Sequence, residues 1–400
     1  MASNWYCKLP WTGFSNDPDG RARPCCLFKD HIKDDAGKEM YVQTHSVKDI
    51  FTSKFMKDLR QEFRDGKRPA GCQTCIVDEQ NNYTSKRQLY NDNYLTANYA
   101  EEPEFPVEYQ MILSNACNLK CRSCTPSHSS LWQAEHKMIW GTTGYRMPEG
   151  QSGENDSLLW NKRDEWMPSV KRLEIVGGEP FYINRWKILW HELIEKGLAP
   201  GINMDMSSNG TIYAGDTVEY LVKNFRNIGL GLSIDGIGKV FEYLRHPGKW
   251  DEVEANMLKY HELCSKLDSN KFRVSISHTI GWVNAWELPE FHMFVKNKTP
   301  QFSIWNNIIH YPPHMAIYMI PAGLKKRIED KWRAHHWGKY QHDIEGIITY
   351  MNSQQPTDAE IAHAYNTFKT HDTARNENLL DILPTEIVEE IRPYYEQHSN

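Results

Sequence analysis

The stretch "VEYQMILSNACNLKCRSC" (107–124) decides the fold: a short apolar run that alternates like a strand leads straight into three thiols at spacing C-x3-C-x2-C. With nine cysteines in 400 residues, such a spacing is expected by chance on the order of 0.005 times in the chain. Three close sulfurs ask for a shared metal group. A structural zinc site wants a fourth ligand, and His128 is the nearest candidate in sequence. A [4Fe–4S] cube on three thiolates instead leaves one iron open for a small chelating ligand.

Outward from this loop, strand patterns recur at "KRLEIV" (171–176), "INMDMS" (202–207), "LGLSI" (230–234), "FRVSIS" (272–277) and "FSIWN" (302–306). Amphipathic helices fit between them, such as 185–197, 217–225 and 250–267. Six strands alternating with helices predict parallel β/α units, in a doubly wound sheet or an incomplete barrel. Either architecture places the site beyond the carboxyl ends of the strands. "SNACNLKCRSC", "GGEP", "SSNG", "DG" and "HTIGWVN" each follow a strand, so all converge on one rim. The stretch 141–157 reads as a lid or an insertion, and 322–400 as amphipathic helices.

The net charge of −6 and the lack of a long Lys/Arg block argue against nucleic acid as partner. No secretory signal pattern and no run of about 18 apolar residues occurs, so a cytoplasmic location is expected. Clustered cysteines at an odd count suit metal ligation in a reducing compartment better than a disulfide framework. Cys264, in a helical stretch, reads as a small buried apolar residue.

"CNLKCRSC" after the first strand, with "GGEP" (177–180) after the second, resembles the radical SAM enzymes. That resemblance implies a partial (β/α)6 TIM-like barrel over residues 105–321, with Cys117, Cys121 and Cys124 holding a [4Fe–4S] cluster and S-adenosylmethionine in its open place. It assigns Gly177, Gly178, Glu179, Ser207, Asn209, Ser233 and Arg245 to the S-adenosylmethionine site, and implies a reducing partner such as flavodoxin or ferredoxin. Ser123 departs from the family pattern, which usually has an aromatic residue just before the third cysteine. Beyond the sixth strand, His310, Tyr311 and His314 are placed near the rim, where they read as candidates for substrate contact or as solvated loop residues.

Residues 1–104 hold Cys7, a Gly20-x4-Cys25 step with Cys26 adjacent, and Cys72-x2-Cys75. Zinc would suit four such sulfurs as well. The module resembles the twitch and SPASM auxiliary-cluster modules of radical SAM enzymes, which implies a second [4Fe–4S] cluster on Cys7, Cys25, Cys72 and Cys75, with Cys26 spare. The layout, including "RNENLLDILP" (375–384), is similar to twitch-containing radical SAM proteins known mostly from genomes, phages among them. Hydrogen abstraction from a peptide or protein side chain is the implied chemistry, a small-molecule substrate the alternative. The rival class is a zinc-binding interaction protein without radical chemistry.

Overall fold

The computed structural model describes residues 5–81, 83–92, 100–145 and 157–396. Eight strands form one sheet: β1 (Gly13–Asn16), β2 (Ala22–Arg23), β3 (Glu108–Met111), β4 (Arg172–Ile175), β5 (Asn203–Ser208), β6 (Asn227–Ser233), β7 (Phe272–Ile280) and β8 (Ser303–Ile308), in the order β2-β1-β3-β4-β5-β6-β7-β8. Strands β3 to β8 are the six expected from the sequence, parallel and in chain order. The arrangement is an α/β sheet of the partial TIM-barrel type. Most of the expected lid lies outside the described residues, which resume at Ser157.

Period-two alternation sorts the two faces of this sheet. Met204, Met206, Leu230, Leu232, Val274 and Ile276 are buried in one core with Trp186, Leu189, Val218 and Val253 of the crossover helices. The opposite, inner face carries Ser207, Gly231, Ser275, Ser277, Trp305 and Asn307, and Trp305 is 54% exposed there. An open polar lumen on one side and a dry helical layer on the other follow from that alternation.

The N-terminal module is built into the barrel. β1 adds to β3 in parallel, with Phe14 opposite Tyr109, and β2 closes back on β1 antiparallel. A segment after the helix Gln73–Gln80 then reaches the far end of the sheet: the Tyr83 hydroxyl donates to the carbonyl of Asn306 on β8, and Asp78 pairs with His310 at 3.4 Å. Residues of the module therefore touch both ends of the sheet and bridge its gap. β1 is four residues long and buried throughout, so it carries no alternation by which to find it.

A second core, centred on Trp282, Trp332, Ile347, Tyr365 and Phe368, gathers the C-terminal helices, among them Asp358–Arg375 and Thr385–Glu396. Among the described residues no helix is long and apolar enough to cross a membrane.

Candidate active site

The loop after β3 brings the three clustered thiols together. Each is raised above the ordinary thiol value, first by burial: Cys121 to about 11, where Arg245 opposes and Cys117 adds to the rise, and Cys124 further still, with Cys121 and Cys117 both contributing. Mutual repulsion of this kind means the three sulfurs share one field. Polar N–H groups point at them: Leu119 N–H to Cys117 Sγ at 3.4 Å, Asn209 Nδ2 to Cys117 Sγ at 3.8 Å, and Arg245 Nη1 to Cys121 Sγ at 3.9 Å. Donors around sulfur favour its thiolate form, which is the form that ligates metal.

Among the described residues no three Cys, His, Asp or Glu side chains converge tightly enough to enclose a single ion. His128, the sequence candidate for a fourth zinc ligand, faces elsewhere. Burial holds its imidazole below the usual value, the charges acting on it are Asp17, Asp19 and Arg23, and its Nδ1 lies 3.0 Å from Thr125 Oγ1. The donor set of the loop is three thiols, the number that leaves one iron of a [4Fe–4S] cube open.

The turn after β4 lies against this loop. Gly177 and Gly178 both have positive φ, 80° and 60°, the region that favours glycine. A Cβ on Gly178 would come within 2.5 Å of the Ala116 carbonyl oxygen. Glu179 N–H donates to that same carbonyl at 2.9 Å, so the glycine turn and the cysteine loop fix each other. Glu179 is fully buried. Burial pushes its carboxyl up to about 7, while Asn209 N–H at 2.7 Å, Ser208 Oγ at 3.0 Å and Phe181 N–H at 3.3 Å pull it down. Among the described residues no cation pairs with it directly, Arg245 acting on it only as a more distant charge, so an ammonium group would complete the site.

Of the other residues singled out, Asn209 is in the cluster of contacts, its Nδ2 also 2.8 Å from Asn118 Oδ1. Ser207 is exposed on the inner face, whereas its neighbour Ser208 turns to Glu179. Ser233, at the end of β6, shares the face of Gly231. Arg245 is committed to Asp235 at 2.8 Å, yet its buried Nε makes no hydrogen bond. Burial works against its charge, but Asp235 and the thiols outweigh that and hold it above its ordinary value. An orphaned donor beside the thiols fits an anionic ligand group there. Ser123, in the place of the family's aromatic, lines a recess with Asp235, Thr279, Val283 and Ile309. His310 is taken up by Asp78 and by Tyr350, Nδ1 to hydroxyl at 3.2 Å, Tyr311 is exposed, and His314 is held down to about 4 by burial.

Sequence reasoning missed the brace behind the loop. Arg122, 1% exposed at its side chain, binds Asp372 at 2.5 Å and Glu377 at 2.6 Å, donates from Nε to the Tyr243 carbonyl at 3.1 Å and stacks 3.7 Å from the Tyr243 ring. Arg375 adds bonds to Glu135 at 2.8 Å and to the Lys120 carbonyl at 2.9 Å. The helix Asp358–Arg375 and Glu377 just beyond it thus grip the cysteine loop. The one signal available was the run "HDTARNEN" (371–378), with its alternating charges.

In the N-terminal module Cys7 is raised by burial and then by Cys25, Cys72 and Cys75. Burial lifts Cys25 to about 12, and Cys72 feels both Cys25 and Cys75. Cys7 therefore shares a field with three sulfurs from two further segments. Cys26 is turned to Lys86, whose Nζ donates to its Sγ at 3.1 Å.

With that geometry in place, residues 7–76 match the family model of SPASM, an iron–sulfur cluster-binding domain. Over 185 residues the chain is 26% identical to the sporulation killing factor maturation protein SkfB of Bacillus subtilis (strain 168), a match covering 46% of this chain and 38% of that one. Among solved structures it is similar to Streptococcus suis SuiB bound to precursor peptide SuiA (17% identity, 68% of this chain and 48% of that one, TM-score 0.34). It is also similar to anSMEcpe with bound AdoMet and Cp18Cys peptide (17%, 56% and 58%, TM-score 0.32). The chain carries a SPASM iron–sulfur domain. Its similarity to the maturation protein is distant, and the chain spans under two fifths of that protein's length.

Proposed function

We propose that the protein is a radical SAM enzyme acting on a peptide or protein side chain, with a second cluster in the SPASM domain that assists oxidation or binds substrate. A [4Fe–4S] cluster on Cys117, Cys121 and Cys124 would supply the electron that cleaves S-adenosylmethionine reductively to a 5′-deoxyadenosyl radical, which takes hydrogen from the substrate. The observation that carries this reading is the meeting, on one rim, of three thiols with a glycine turn, a buried Glu179 and an Arg245 with an unused donor.

In this reading the Gly177–Gly178 turn and Glu179 receive the methionyl ammonium of S-adenosylmethionine. Arg245 receives its carboxylate, Asn209, Ser207 and Ser233 complete the polar wall, and the recess beside Ser123 takes the adenine. Cys7, Cys25, Cys72 and Cys75 hold the second cluster with the four-thiol, twitch-like complement. The peptide class is supported by the kinship with a maturation protein, and the open inner face is where such a chain enters. An external reductant such as flavodoxin or ferredoxin is required.

The test is 5′-deoxyadenosine formation by anaerobically reconstituted protein given S-adenosylmethionine and a strong reductant, beside the triple variant Cys117/Cys121/Cys124→Ala. Product from the wild type alone is expected. Absence of product from fully iron-loaded wild type would sink the reading.

A further inference from the structure

Two consecutive cations, Lys86 and Arg87, follow the Cys72–Cys75 turn, and they reach different thiols of the N-terminal set. Lys86 Nζ donates to Cys26 Sγ at 3.1 Å, and Lys86 lines one small recess with Cys25, Glu174 and Tyr90. Arg87 acts on Cys72 and Cys75. Both side chains are largely covered, 14% and 11% exposed, so their charges are felt through protein more than through water.

The two cations differ in how closely they are matched. Arg87 donates from Nε and Nη2 to the two oxygens of Glu79 at 2.9 and 2.7 Å, and from Nη1 to the Tyr6 carbonyl at 2.8 Å. A carboxylate in bidentate contact cancels most of its field at a distance. Lys86 is matched loosely. Its carboxylate, Glu174, lies 3.8 Å from Nζ, beyond hydrogen-bond reach, and accepts from the Tyr90 hydroxyl at 3.2 Å. The Tyr90 ring, 4.9 Å from Nζ at its centroid, adds attraction but no charge. Burial works against the Lys86 ammonium, yet Cys26, Glu174, Tyr90 and Cys25 outweigh that and hold it well above its ordinary value. It is a charged group whose hydrogen bond goes to the thiol next in the chain to Cys25.

We propose that Lys86 sets the reduction potential of the N-terminal cluster, its covered ammonium making that cluster a better electron acceptor, with Glu174 as the counter-charge that limits the effect. The inference rests on the reading that Cys7, Cys25, Cys72 and Cys75 hold a [4Fe–4S] cluster, for which four thiols are the full ligand complement. Reduction by one electron adds one negative charge to that site, and nearby charge is among the quantities that fix a cluster's potential. An ammonium beside the Cys25 segment therefore favours the reduced state. Lys86 is a positioning residue in this scheme: it bonds to Cys26 and to no ligand, so its loss breaks no iron–sulfur bond. The spare thiol acquires a role as well, since it holds the ammonium at the Cys25 end of the recess. The electron concerned is the one left on a substrate radical after hydrogen abstraction; the radical is oxidised, the cluster reduced, and a proton leaves the substrate for solvent.

The full chain carrying Cys117/Cys121/Cys124→Ala, loaded with iron under anaerobic conditions, displays the N-terminal cluster alone, and a redox titration followed by electron paramagnetic resonance gives its midpoint. In that background Lys86→Met is expected to lower the ratio of reduced to oxidised cluster at the original midpoint at least about tenfold, a shift of about 59 mV for one electron. Glu174→Gln should shift the midpoint the opposite way, and Lys86→Arg should keep it near the starting value. The opposed signs are the signature of charge, because loosened packing between module and barrel would move both variants in one direction. An unmoved midpoint in an iron-loaded Lys86→Met protein, or shifts of one sign in both charge variants, would overturn the proposal. Where Lys86→Met does not hold iron, Glu174→Gln decides alone, a midpoint unmoved or lowered there counting against it. A background protein that binds no iron removes the cluster reading and the proposal together, whereas iron with an unmoved midpoint removes only the role of Lys86.

Discussion

The two thiol sites of this protein are built in opposite ways. The barrel set comes from one eight-residue loop, with N–H donors of Leu119, Asn209 and Arg245 aimed at two of its sulfurs. The N-terminal set is collected from Cys7, Cys25 and the Cys72–Cys75 turn, with Cys7 feeling the other three thiols and Cys72 feeling Cys25 and Cys75. Three ligands on one short loop can present a group while leaving a side open, whereas four from three segments enclose it. The first arrangement suits a reacting centre. The second ties together the segments that attach the module to both ends of the sheet.

The largest expected effect breaks that comparison at its root. Cys72→Ala should remove iron from the N-terminal set alone and abolish turnover of a substrate, yet leave reductive S-adenosylmethionine cleavage in place. Any single alanine among Cys117, Cys121 and Cys124 should bring cleavage to background. Iron content and 5′-deoxyadenosine, measured together, check both. If Cys72→Ala also ends cleavage, the two sites are not separable as drawn.

Next comes the brace. Arg122→Leu leaves Asp372 as a buried charge without its cation, while the half-buried Glu377 keeps His246 at 2.7 Å, and breaking a buried pair in this way costs about 3–5 kcal/mol. Chemical denaturation should register that loss. Iron should be lost first from the barrel set, because only that loop is gripped by the helix Asp358–Arg375. The double variant Arg122→Leu/Asp372→Leu should recover part of the stability; no recovery would mean that Arg122 acts through Tyr243 instead.

Glu179 gives a smaller, pH-dependent effect. Its folded carboxyl sits near 7 against an ordinary 4.5, raised by burial, so the folded state holds its proton more tightly than the unfolded state. Stability is therefore highest below pH 4.5 as far as this group is concerned, and falls as pH rises through 7, by on the order of 3 kcal/mol. Glu179→Gln should flatten that slope in urea denaturation between pH 5 and pH 8 without S-adenosylmethionine. In the wild type, added S-adenosylmethionine should flatten it as well, since a bound ammonium favours the charged carboxylate. An unchanged slope in Glu179→Gln would assign the pH dependence elsewhere.

Strands β3 to β8 were legible because each alternates within a few residues and each is followed by a helix of its own. The rim motifs were legible because parallel strands carry every following loop to the same end. β1 was not, since "GFSN" is buried on both faces and its partner Tyr109 lies 95 positions beyond Phe14. The brace was hidden for the same physical reason: Arg122 and Asp372 meet across 250 positions, and neither has a local pattern that requires the other. Glu108 and Glu174 read as the polar half of a strand alternation, and only the fold shows that their side of the sheet is walled in by the cysteine module.

The smallest effect sharpens the comparison within the N-terminal set. Cys25 and Cys26 are adjacent, and the resemblance through the Gly20-x4-Cys25 step favours Cys25 as the ligand. In the structure the charges acting on Cys25 are Cys26 and Lys86 first and then Cys75, and Cys72 feels Cys25, while Cys26 accepts a hydrogen bond from Lys86, which Glu174 and Tyr90 also hold. Cys26→Ala should therefore leave the iron content unchanged and cost about 1 kcal/mol or less, the net worth of one hydrogen bond whose donor keeps other partners. Cys25→Ala should lose the N-terminal iron outright. The reverse pattern would exchange the two residues, making Cys26 the ligand and Cys25 the thiol beside Lys86.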